Sequence, residues 1–168
     1  MKDQVPNVNF IYRIDGENIK KTTDDIFLNK KIVVFALPGA FTPTCSDYHL
    51  PSYEDNYDKI QKYGVDDIFC LSVNDSFVEN VWKKNSNVKK VNFIPDGNAD
   101  FTKEMNMLTD RSETGMGMRS FRYSMYVDNK KIGTGGPDAK GQSPLRAVFW
   151  FDIAVRVLYL TKALLGQY

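Results

Sequence analysis

Four short segments in which apolar residues follow one another set the strongest constraint on this chain. They are Lys31–Leu37 (KIVVFAL), Asp67–Val73 (DIFCLSV), Val91–Ile94 (VNFI) and Arg122–Val127 (RYSMYV). All are rich in β-branched or aromatic residues, and several are apolar on successive residues, where a strand with one wet face would alternate; this indicates strands covered on both faces. The covering helices are expected between them. Ser52–Tyr63 follows Pro51, read as a helix break. Ser76–Lys84 follows Asn74-Asp75, which can cap it, and Asp100–Leu108 has Asp100 as its expected cap. The stretch from Val127 to Ile132 reads as strand, turn and strand. The expected fold is therefore α/β, a mixed sheet flanked by helices. No linker, repeat or low-complexity block divides residues 1–168, so a single domain is expected.

Composition removes several classes of function. A net charge of +1 with no basic block argues against nucleic acid as a partner. Nothing at the N-terminus resembles a secretory signal, and no uncharged apolar stretch reaches the roughly 18 residues of a spanning helix. These features lead to the expectation of a cytoplasmic protein. The two cysteines, Cys45 and Cys70, are too few for a disulfide framework and fit no zinc spacing, which indicates free thiols in a reducing compartment. The Gly-rich pieces GTGGPDAKG and Gly115-Met116-Gly117 lack the spacing of phosphate-binding turns, so no cofactor is expected. The tail, residues 133–168, is unlike the rest. A Gly-rich loop leads to Ser143-Pro144, a good start for a helix to about Leu165 that is apolar round most of its circumference. Such a helix should be buried, within the fold or against a partner.

Cys45 stands in PGAFTPTCSDYH, where an apolar run ends in a turn and a helix can begin. With Thr42 as N-cap, Pro43 occupies the first helical position, where its missing N–H costs nothing. The Thr42 oxygen can then accept the Cys45 backbone N–H. The sulfur sits in the first turn, among unpaired N–H groups that favour negative charge, and the thiolate is the nucleophilic form of a cysteine. A buried thiol acting as a small hydrophobe is the alternative. His49, four residues on, could form a Cys–His pair, but Pro51 disturbs its turn and no second His exists to complete a metal site, so it is read as structural. Cys70, in the middle of DIFCLSV, reads as a core thiol.

The residues around Cys45 also carry a family resemblance. Pro38, Thr42 and Cys45 match the PxxxTxxC motif of the peroxiredoxins, and PGAFTPTCSDYHLPSYED resembles the type II, or peroxiredoxin-5-like, subfamily. FCLSVND at Phe69–Asp75 and GMRSFRYSMYVDN at Gly117–Asn129 resemble the same subfamily in order and spacing. The resemblance covers roughly Val5 to Ile132, and the chain departs from the pattern after that.

This resemblance implies a thioredoxin-like fold and a thiol peroxidase acting on hydrogen peroxide or organic hydroperoxides. Cys45 matches the peroxidatic cysteine, which becomes a sulfenic acid. Thr42 matches the hydroxyl that holds sulfur and peroxide together, and Pro38 the proline that screens the pocket from water. Arg122 matches the active-site arginine, ahead of the nearby Arg119, and the Thr44 and Cys45 N–H groups can polarise the peroxide. Some relatives carry a second, C-terminal cysteine, but none follows Cys70 here. The implied reductant is external, glutathione with or without glutaredoxin. The resemblance also implies a homodimer formed through the active-site face. A redox sensor or a partner-binding module without steady turnover is the competing function. A disulfide oxidoreductase of the thioredoxin type is disfavoured, because Cys45 has no CxxC partner.

Overall fold

The structure, a computed structural model, describes residues 3–133. The predicted tail helix, with its Ser143-Pro144 start, lies outside the described residues. The chain opens with a hairpin of β1 (Asn9–Ile14) and β2 (Glu17–Thr22), followed by α1 (Thr23–Phe27) and β3 (Lys31–Ala36). A π-helical turn at Cys45–His49 runs into α2 (Leu50–Asp55), with α3 (Tyr57–Gln61) behind it. Then come β4 (Asp67–Ser72), α4 (Ser76–Asn85), β5 (Asn92–Pro95) and α5 (Asp100–Glu104). The described part closes with β6 (Leu108–Asp110), β7 (Met118–Ser120), β8 (Tyr123–Asp128) and β9 (Lys131–Ile132).

Five strands form one mixed sheet in the order β5-β4-β3-β8-β9. β3, β4 and β5 are parallel, while β8 runs antiparallel to β3 and β9 antiparallel to β8. The four apolar runs are its four long strands, as the sequence pattern indicates. β3 is central, and its alternate side chains feed two cores. Ile32, Val34 and Ala36 join Phe27, Phe101, Met125 and Val127 on one face. Val33 and Phe35 join Leu50, Tyr53, Cys70 and Trp82 on the other. Period-two alternation is therefore present but invisible in KIVVFAL, because both faces are apolar. Burying one such side chain stabilises the fold by about 1.5–3 kcal/mol.

The helix boundaries differ from expectation in two places, each for a physical reason. Pro51 does not break the helix: it lies inside α2, and Leu50 before it has helical angles (φ −62°, ψ −48°). The Leu50 N–H reaches back five residues to the Cys45 carbonyl, and this wider turn leaves room for the proline ring. The interruption comes later, at Asn56, which separates α2 from α3. The helix expected over Asp100–Leu108 ends at Glu104, and its cap is not Asp100. Ala99 takes a left-handed conformation there, and the buried Asp96 carboxylate accepts from the N–H groups of Phe101 and Thr102. Asp96 can do this because the chain folds back on itself after β5. The β1–β2 hairpin turns at Asp15-Gly16, both with positive φ, as a two-residue turn between twisted strands requires.

The expected cap on α4 is present. The Asp75 side chain accepts from the N–H groups of Phe77 and Val78 at 2.9 and 3.0 Å. Asp75→Ala should lower stability by about 1 kcal/mol, read as a lower urea midpoint with unchanged slope. An unchanged midpoint would mean that packing alone holds this helix start.

Candidate active site

The site forms where the C-terminal end of β3 meets the start of the helix that follows. The Leu37 N–H bonds the Leu71 carbonyl at 3.1 Å, and the chain then leaves the sheet through Pro38-Gly39-Ala40-Phe41-Thr42. Two unusual features hold this loop. Phe41 lies in the left-handed region at φ 61°, a costly conformation for a bulky residue. The Ala40 N–H donates to the side-chain oxygen of Asn74, two residues past the end of β4, at 3.0 Å. Helical geometry begins at Pro43, and the Ser46 N–H bonds the Thr42 carbonyl at 2.9 Å.

Thr42 stands at the N-cap position, but its side chain does not cap in the expected way. Its hydroxyl donates to the Gly39 carbonyl at 3.0 Å instead of accepting the Cys45 N–H. The proton of Thr42 is thereby directed back into the loop, and its lone pairs are left available to accept. Pro38 is half-buried, and Thr44 is exposed with helical angles.

Cys45 is 1% exposed, and its sulfur accepts from one terminal nitrogen of Arg122 at 3.3 Å. The other terminal nitrogen lies 2.7 Å from Nδ1 of His49. Arginine has donors only, so Nδ1 must be the accepting nitrogen of a neutral ring. His49 is in turn wedged between two rings, Phe35 at 5.2 Å and Tyr53 at 5.5 Å, which themselves stack at 3.9 Å. Two segments therefore meet at one guanidinium: the residue before β8, and the π-helical turn, which supplies both Cys45 and His49.

Arg119 has other duties. Its Nε donates to the Met116 carbonyl at 2.8 Å and a terminal nitrogen to the Val73 carbonyl at 3.0 Å. It also packs over Gly39, where an added Cβ would meet it at 3.3 Å. Cys70 is fully buried in β4, and desolvation pushes its thiol well above the usual range. Among the described residues no group of three or more His, Cys, Asp or Glu side chains could hold a metal ion. Sequence reasoning missed the part played by His49. The i,i+4 spacing from Cys45 was the available signal, and Pro51 masked it.

Comparison with known proteins accords with this geometry. The Redoxin family model matches residues 1–143. A peroxiredoxin of Synechocystis is 50% identical over 139 residues, covering 77% of this chain and 74% of that protein. Among solved structures, the 1-Cys peroxiredoxin antioxidant protein of Plasmodium falciparum superposes with a TM-score of 0.73 at 41% identity, covering 77% of this chain and 80% of the other. Reduced Prx3 of Vibrio vulnificus, solved with hydrogen peroxide, gives a TM-score of 0.74 at 36% identity, covering 83% and 90%. The chain belongs to the Redoxin family, and within it to the peroxiredoxins, thiol peroxidases with a thioredoxin-like fold.

The guanidinium bridge makes a graded expectation. Arg122→Met should slow oxidation of Cys45 by peroxide about 10²-fold, as loss of one aimed donor does. His49→Phe keeps the ring packing but removes the acceptor that aims Arg122, and should cost roughly tenfold. Stopped-flow fluorescence with hydrogen peroxide measures both. A larger loss in Arg119→Met than in Arg122→Met would reverse the assignment.

Proposed function

We propose that this protein is a one-Cys peroxidase that reduces hydrogen peroxide and organic hydroperoxides through Cys45 and is recycled by glutathione or glutaredoxin. The observation that carries the reading is the Arg122 guanidinium on the Cys45 sulfur at the first turn of a helix. The thiolate attacks the nearer peroxide oxygen as the O–O bond breaks. The bond's electron pair leaves with the distal oxygen, which takes a proton from solvent to become water or an alcohol, and the proximal oxygen stays on Cys45 with its hydrogen as a sulfenic acid. Arg122 offers its fixed donors to the charge that develops on both oxygens. Thr42, with its proton committed to Gly39, accepts a hydrogen bond from the peroxide hydroxyl. The Thr44 and Cys45 N–H groups add donors from the helix start, and Pro38 covers the loop side of the pocket. The solved complex of the Vibrio vulnificus relative with hydrogen peroxide supports this choice of substrate.

In the reducing half, a glutathione thiol displaces water from the sulfenic acid to give a mixed disulfide. A second glutathione thiol, or glutaredoxin, then releases the Cys45 thiolate. Complete burial of Cys70 in β4 supports an external reductant. Peroxide consumption with glutathione, with and without glutaredoxin, tests the cycle. Cys45→Ser should abolish turnover and Cys70→Ser should retain most of it. Equal losses would overturn the one-Cys reading, and a single oxidation without turnover would favour a sensor.

Exposed apolar side chains flank the site residues in sequence: Phe41 beside Thr42, Tyr48 beside His49, and Phe121 beside Arg122, each roughly half exposed. They support a homodimer joined through this face, since apolar patches around a site favour association. Sedimentation should give a dimer in the intact protein. A monomer at high micromolar concentration would overturn this part of the proposal.

A further inference from the structure

Behind the loop that carries Thr42 lies a buried chain of polar groups that the peroxidase reading does not use. Glu79, on α4, is 2% exposed, in an interior where an acidic side chain is rare. Its Oε1 lies 2.6 Å from the hydroxyl of Ser72, the fully buried last residue of β4. Ser72 Oγ lies 3.0 Å from Oδ1 of Asn74, and that oxygen also accepts the Ala40 N–H at 3.0 Å. The Gly39 carbonyl, next along the loop, accepts the Thr42 hydroxyl. Among the described residues no cation pairs with Glu79, and its Oε2 has no hydrogen-bond partner.

Counting protons fixes the direction of every bond. The Ala40 N–H faces Asn74, so the Asn74 atom there must be the oxygen, which can only accept. Ser72 has one proton and must give it to Asn74 to make the second contact. Its contact with Glu79 then requires that Glu79 donate, which only a neutral carboxylic acid can do. An ionised Glu79 would take the Ser72 proton and leave two lone-pair oxygens, Ser72 Oγ and Asn74 Oδ1, facing each other at 3.0 Å. We propose that Glu79 is a positioning residue of the active-site loop, acting as a neutral acid through Ser72 and Asn74 to hold Ala40 and hence the backbone that orients Thr42.

The surroundings favour the neutral form. Desolvation is the largest effect on Glu79 and lifts its carboxyl well above the usual range; a proton donated by Ser72 would act the other way, but that proton is committed to Asn74, and the negative charges of Asp96 and Asp75 act with desolvation. The remaining titratable neighbours are Tyr12 on β1 and Cys70 on β4, both shifted upward chiefly by burial, so neither supplies a charge that would ionise it. The sign of the pH effect follows. A carboxyl whose folded value is raised contributes stability that is lost as pH climbs through that value. Loop order and thermal stability should therefore decline together as pH rises from the ordinary carboxyl range through that raised value, and Glu79→Gln, a permanent neutral donor, should not show this decline.

The proposal rests on Cys45 as the nucleophile, but its first test does not. Infrared difference spectra of protein carrying ¹³C-labelled glutamate, wild type minus Glu79→Gln at neutral pH, should show one neutral-acid carbonyl band. Its absence, with a carboxylate band in its place, overturns the proposal whatever Cys45 does. The second test is the rate of Cys45 oxidation by hydrogen peroxide. Glu79→Gln should stay within about twofold of wild type, while Glu79→Met and Ser72→Ala should each slow it about fivefold, the scale of one buried hydrogen bond. Should Glu79→Met not fold, Ser72→Ala carries the comparison. Equal rates for Gln and for the variant that lacks the contact overturn the positioning role. Retained turnover in Cys45→Ser would refute the peroxidase reading alone, and the infrared result would stand.

Discussion

The guanidinium of Arg122 is the contact on which the site depends, because it is where the sheet and the helix are made to agree. One nitrogen faces the Cys45 sulfur and another faces His49 Nδ1. A planar fork cannot satisfy both partners unless the two side chains project toward it at a fixed separation. Cys45 and His49 are successive contacts on one helical face, and their separation is set by the π-helical turn between them. The widened turn that accommodates Pro51 thus also sets the spacing at Arg122. A proline that looks like a helix breaker in the sequence works as a spacer in the fold.

The two cysteines show how place decides chemistry in a chain with one thiol of each kind. Both lie in the same apolar cluster, and both are almost wholly buried. Cys45 has a guanidinium at hydrogen-bond distance and stands at a helix start, where backbone N–H groups are unpaired. Cys70 lies in a strand whose backbone groups are paired with β3 and β5, and desolvation outweighs the pull of the Arg122 charge on it. Burial keeps Cys70 protonated and unreactive. A fixed cation and a helix start, more than depth, set Cys45 apart from Cys70.

Much of this was legible in the residues themselves. The four apolar runs are the four longer strands of the five-stranded sheet, because a doubly covered strand needs apolar side chains on both faces and few other elements do. Asp75 reads directly as a cap, since its partners are two and three residues away. What stayed hidden depends on contacts made at long range. Asp96 caps a helix that starts only after the chain reverses, and Ala99 supplies the reversal. The β1–β2 hairpin is polar along most of β2, so its pattern gives no strand signal. The bond between His49 and Arg122 spans 73 positions, and no local pattern encodes it. Thr42 was placed correctly as the residue before the helix, yet the direction of its proton depends on a loop whose path is set by Asn74.

Helix α4 brings these threads together. It touches the active-site segment at two points three residues apart, and i,i+3 side chains share a helix face. Trp82 donates its indole N–H to Ser46 at 3.0 Å, in the turn that carries Cys45, and its ring lies 6.4 Å from that of Phe41. Glu79 reaches the other side of the same segment through Ser72, Asn74 and Ala40. The left-handed Phe41 lies between these two attachments, so a conformation that costs on the order of 1–3 kcal/mol alone is held from both ends. The Asp75 cap that fixes the start of α4 is therefore part of the active site's rigidity, although it lies on the protein surface.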